Sequence, residues 1–183
     1  MNALNSIAIL CATFLAAFLG AALTPLQPWL HAQIDLMPAV IVYAALTAGV
    51  TTVTTTAVLG GLFQDSLSTN PLGVSILPLF LAGIIIHRTQ ELVLRDQPFA
   101  QFAVGIGASA FVPLVTVVML YTMGRQPLVG WASLWQWLVL ALVGGIATPV
   151  LFRVLRGLAV SLSHPISTES SHRPDRLIRR GRL

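Results

Sequence analysis

Few side chains in this chain could do chemistry, and their spacing limits what that chemistry would be. His31 and Asp35 lie four residues apart, neighbours on a helical face, and could share a proton or offer two ligands to a metal. Two donors fall short of the four that a closed zinc site needs. Asp65 stands in a polar run with Ser66, Ser68, Thr69 and Asn70, all of which can bond local backbone groups. Cys11 is the sole cysteine, so no disulfide forms within one chain, and a thiol in an apolar stretch reads as a packing residue. Paired carboxylates, a nucleophile elbow, metal-spaced histidines and a phosphate-cradling glycine loop are all missing. The side chains predict no catalysis, no cofactor and no metal; Ser, Thr and Gln leave room for a neutral ligand.

The elements that must position these groups are apolar. Of 183 residues, 56 % are hydrophobic and 9 % charged. A soluble domain carries about 25 % charged residues, so this chain cannot clothe itself for water. Residues 1–34, 36–64, 97–124 and 126–152 hold no Asp, Glu or Arg, and the chain has no Lys. Each run exceeds the ~20 residues that cross hydrocarbon. The expected fold class is all-α, a polytopic membrane helix bundle over residues 1–157 followed by a basic cytoplasmic tail over 158–183 with too little apolar material to fold. The N-terminal stretch lacks the basic residues of a secretory signal and reads as a retained first helix.

Within the first helix Ala8, Ala12, Ala16 and Gly20 recur every four residues and make a face on which another helix can pack closely, in its own bundle or on a second protein. Pro25, Pro28 and Pro38 interrupt the following connection. Residues 38–63 could be one tilted helix of about 39 Å or two short ones breaking near Gly49–Thr52, where β-branched Thr51, Thr52, Val53, Thr54, Thr55 and Thr56 make a poor isolated helix. The stretch 60–73 is the longest mainly polar interruption of the N-terminal half. It reads either as a helix end, a capped turn and a new helix, or as a presented recognition loop made of Gln64, Asp65, Asn70, Pro71, Leu72 and Gly73. Gly60 and Gly61 allow a neighbouring helix to approach the backbone. A later helix starts at Pro98, and the last span runs from Trp131 to Phe152.

Arginine sets the orientation. With the C-terminus in the cytoplasm, nine of the ten arginines fall inside and Arg125 alone lies outside. The Asp65 stretch then faces out, with Trp29, Trp131, Trp135 and Trp137 as anchors at the outer interface. The tail arginines Arg173, Arg176, Arg179, Arg180 and Arg182 are topogenic and suited to anionic lipid headgroups rather than nucleic acid. The count leaves five and six spans open, because the half in question has no Arg.

Leu26-Gln27, Ile34-Asp35-Leu36-Met37-Pro38, Tyr43-Ala44-Ala45-Leu46, Gly60-Gly61-Leu62-Phe63-Gln64-Asp65-Ser66-Leu67 and Pro71-Leu72-Gly73, in that order, resemble the rod shape-determining protein MreD family. The resemblance covers about residues 20–90 by motif, and the basic tail departs from it. It implies a non-catalytic subunit of the bacterial inner membrane that partners MreC and stands with MreB, RodA and a class B penicillin-binding protein in the cell-elongation machinery. It also implies six helices with a short second and third, similar in fold to the substrate-binding subunits of energy-coupling-factor vitamin transporters. A vitamin-uptake subunit is therefore the alternative function.

Overall fold

The computed structural model describes residues 3–22, 35–68, 71–90, 97–125 and 130–163. They form six helices: α1 Ala3–Ala22, α2 Met37–Thr47, α3 Val50–Ser66, α4 Ile76–Arg88, α5 Pro98–Thr122 and α6 Trp131–Ser163. Three of them, α1, α5 and α6, are long and apolar enough to cross a membrane.

The uncharged segment after Pro38 is two helices, not one. Pro38 sits in the first turn of α2, where a missing N–H costs nothing. The break falls at Ala48 and Gly49, both extended, and Gly49 is the N-cap of α3. At about 16 Å, α2 is half the thickness of a hydrocarbon core. Ten consecutive residues, Met37 to Leu46, are buried, and α2 packs against all five other helices. A helix apolar on every side belongs in the centre of a bundle. Tyr43 is its one large polar side chain, stacked edge-on against Phe152 of α6 with ring centroids 4.8 Å apart.

Ending a helix inside a bundle leaves carbonyls that lipid cannot satisfy. The end of α2 meets that demand locally. Ala48 N donates to Ala44 O at 2.9 Å, Thr47 Oγ1 to Tyr43 O at 2.6 Å, and the His87 ring of α4 bonds through Nδ1 to Ala45 O at 3.0 Å. Two side-chain bonds tie α1 to its neighbours here: Ser6 Oγ with Thr52 Oγ1 of α3 at 3.3 Å, and Tyr43 Oη of α2 donating to Asn5 Oδ1 at 3.4 Å.

The hairpin α5–α6 closes through small residues. A side chain on Gly105 would strike Thr148, one on Gly144 would strike Ser109, and one on Gly145 would meet Ile106 and Phe102. Outward, α6 presents Trp135, Leu138, Leu142, Ile146, Val150 and Val154, a continuous apolar stripe. Helix α6 continues eleven residues past Phe152, the expected end, and across the expected boundary at 157, because nothing between Arg153 and Ser163 stops a helix. The tail arginines from Arg173 lie outside the described residues.

Candidate functional site

The polar side chains of the recognition stretch sit where α2 begins, α3 ends and α4 begins. Gln64 and Asp65 belong to the last turn of α3, so the expected presented loop is shorter than its sequence. Asp65 is 2 % exposed. Its Oδ2 accepts from Gly73 N at 2.7 Å and Ser75 N at 3.2 Å, and its Oδ1 from Ser75 Oγ at 2.5 Å. One carboxylate thereby replaces the water that the turn and the first residues before α4 would otherwise need. Gly73 has φ +94°, a conformation that a Cβ would strain, which is why glycine follows Pro71-Leu72. Gly61 lets α4 start hard against α3: a Cβ there would lie 2.8 Å from Ile76 N and Cα.

A second carboxylate fastens the other side. Asp35 Oδ1 accepts from Met37 N, the first N–H of α2, at 2.9 Å in an i→i+2 turn, while Oδ2 meets Gln64 Nε2 of α3 at 2.6 Å. The residue is half-buried. Burial pushes the carboxyl above its ordinary value, with the bonds from Met37 and Gln64 pulling the other way. Gln64 Oε1 is buried without a partner.

The two acids thus spend their acceptors on backbone and neutral side-chain donors, and neither faces a base, a nucleophile or a cation in the bonds they make. Among the described residues no three His, Cys, Asp or Glu side chains gather to hold a metal. The partner expected for Asp35, His31, lies outside the described residues, as do Asn70 and Trp29. Of the recognition stretch, the described side chains turned outward are Leu72, 71 % exposed, and Leu67, 57 % exposed, with Leu62, Phe63 and Ser66. Pro71 and Gly73 are half-buried. Among the described residues the surface this end offers is mainly apolar.

The other expected sites are placed as follows. Ala12 and Ala16 are buried and Ala8 and Gly20 half-buried, so the small-residue face of α1 is turned inward. It meets α2 and α3, where Gly60 sits close to Met37 and Thr13. Part of it also floors a groove of about 490 Å³ between α1, α2 and α6, lined by Ala12, Ala16, Val40, Leu151 and Leu155 among other apolar side chains. Trp131 and Trp135 are exposed, and Trp137 donates through Nε1 to Ala110 O at 2.8 Å. Cys11 is exposed rather than packed. Its face of α1 also carries Phe14 and Leu15, both exposed.

Sequence reasoning missed the Asp35–Gln64 pair, the role of Ser75, the cap that His87 gives to α2, and the groove. The first had a signal: an acid two residues before a Met-Pro helix start can accept the first helical N–H in an Asx turn. The others are long-range and leave none. Comparison with family models, curated proteins and solved structures returned no match.

Proposed function

We propose that this chain is a non-catalytic integral subunit of the bacterial cell-elongation machinery, of the MreD type, seated in the cytoplasmic membrane with both termini inside. In this reading it binds an MreC-like protein and, through it or directly, MreB, RodA and a class B penicillin-binding protein, and so helps to regulate peptidoglycan synthesis. One observation carries the proposal. The residues of the resembling motif, Asp35, Gln64, Asp65 and Gly73, hold three helix ends in register and are used up in doing so, while Leu67 and Leu72 beside them are offered outward. Such an end suits holding a partner rather than turning over a substrate. Six helices among the described residues support the same family reading in number, although the two shortest are the second and the fourth, and so does an outer surface that is apolar along α1, α5 and α6.

The alternative, a vitamin-binding subunit of an energy-coupling-factor transporter, is supported by the groove beside α1. Its lining is apolar side chains, whereas a water-soluble vitamin needs convergent polar groups to orient it.

Co-purification tests the proposal. Leu72→Arg and Leu67→Arg, at exposed positions, should reduce recovery of the MreC-like protein from the producing organism while the membrane level of the chain stays unchanged. Equal recovery from both variants and the parent removes this end from the interface. Asp65→Arg is a poor interface test, because it would break the turn before it touched any partner. Stoichiometric binding of a vitamin to purified protein would favour the alternative.

A further inference from the structure

We propose that the groove between α1, α2 and α6 seats one acyl chain of a phospholipid whose anionic headgroup is held by Arg153. The proposal rests on the long apolar helices lying in a bilayer and not on the cell-elongation reading. The floor of the groove is Ala12 and Ala16 of α1, Val40 of α2 and Leu155 of α6, all buried or nearly so, and exposed Leu15 and Val150 stand on its rim. Its lining side chains are aliphatic apart from the thiol of Cys11. Water in it would find no partners, and an empty groove would forfeit the contacts of its walls.

The dimensions choose among apolar occupants. The lining runs from Ile7 to Leu19 on α1 and from Ala147 to Leu158 on α6, about 17 Å at about 1.5 Å per residue. That is close to half of a ~30 Å hydrocarbon core, the depth of one leaflet. Spread over this length, 490 Å³ gives a mean cross-section of about 29 Å². A helix with its side chains is about 10–12 Å across, a cross-section of roughly 80–110 Å². A partner helix would lie across the rim without filling the groove, whereas a single file of methylenes enters it.

Charge marks one end. Asn5 of α1 bonds Tyr43, Tyr43 stacks on Phe152, and the Arg156 guanidinium lies over the Phe152 ring at 5.9 Å. The arginines of α6 therefore stand toward the Ile7 end of the groove. Arg153 is exposed and is a helical neighbour of Val150 on the rim, three residues earlier. Its stem can lie along apolar surface with the guanidinium at the headgroup level, where its fork fits a phosphate. The acids among the described residues, Asp35 and Asp65, are bonded near the start of α2, so the arginine end is basic.

Native mass spectrometry of the delipidated full chain tests this, with palmitoyl-oleoyl phosphatidylglycerol against phosphatidylcholine of the same chains. One phosphatidylglycerol should bind per chain, about fivefold tighter than phosphatidylcholine, the worth of one arginine near a charged surface. Arg153→Gln should bring phosphatidylglycerol down to the level of phosphatidylcholine. Ala147→Phe puts a ring into the groove from a half-buried position and should abolish the adduct of both lipids. Cys11 is the sole cysteine, is exposed and lines the groove, so alkylating the folded protein with N-cyclohexylmaleimide plugs the same space. The alkylated parent should lose the lipid, and Cys11→Ser treated alike should keep it. Equal affinity of the parent for the two lipids overturns the proposal, and so does a preference that survives in Arg153→Gln. Lipid retained by the alkylated parent overturns it whether or not Ala147→Phe folds. A parent dimer that alkylation dissociates would put a second copy on the groove and overturn it as well.

Discussion

The two ends of α2 solve the same problem by different means. Where it begins, charge-bearing side chains do the joining: Asp35 takes the first N–H of the helix and reaches α3, and Asp65 one residue past Gln64 gathers the turn that leads to α4. Where it ends, neutral groups suffice: His87 on a carbonyl, a threonine hydroxyl on its own helix, Tyr43 with Asn5, and Ser6 with Thr52. The difference follows from what each end must satisfy. The turn at 71–75 presents donors, the N–H groups of Gly73 and Ser75 and the Ser75 hydroxyl, and one carboxylate with two oxygens accepts all three. A helix C-terminus presents carbonyls, which carboxylates cannot serve and a ring N–H or hydroxyl can.

This contrast predicts an order of losses. Replacing Asp65 with leucine should do the most harm, since it strands two buried donors of Ser75 and the half-buried N–H of Gly73; about 3–5 kcal/mol is expected, read as SDS- or heat-induced unfolding in detergent. Gly61→Val should cost about 1–3 kcal/mol by driving Cβ and Cγ atoms into the backbone of Ile76, and it separates the close approach from the hydrogen bonding at the same end. At the other end His87→Phe keeps volume but frees the Ala45 carbonyl, for about 1–2 kcal/mol, also read as a loss of hydrogen-exchange protection near Ala48. Tyr43→Phe should cost no more than about 0.5 kcal/mol, because its bond to Asn5 is long and the ring stacking on Phe152 survives. If Tyr43→Phe proved as damaging as Asp65→Leu, the asymmetry between the two ends would be gone.

A second contrast separates α2–α4 from the α5–α6 hairpin. The hairpin is held by absence of side chains, with Gly105 against Thr148 and Gly144 against Ser109, and its glycine spacing was visible without being read as a pair. Small residues mark a close approach but do not say to what. The same holds for Ala8, Ala12, Ala16 and Gly20, whose spacing announced a packing face while leaving its partner open between another protein and this bundle; α1 packs on α2 and α3, and Ala8, Ala12 and Ala16 line the groove beside them. The Thr51–Thr56 run shows the opposite case. Thr54 and Thr55 bond carbonyls of their own helix, a local outcome that side-chain chemistry predicts, while Thr56 is buried with no partner for its hydroxyl, which only neighbouring helices could bring about.

Composition and the spacing of charges decided the all-helical class, the three long apolar helices and the positions of their starts at Pro98 and Trp131, because each depends on a window of about 20 residues or fewer. The break at Ala48–Gly49 lay within reach of the sequence as one of two options, since helix propensity there is low but a tilted span would also have fitted. Whether Asp65 would be displayed or enclosed was beyond it. That outcome rests on Ser75 and Gly73 folding back eight to ten residues later, and on Gly61 letting α4 close over them. Burial of a side chain is a property of what arrives around it, and only the assembled bundle supplies that.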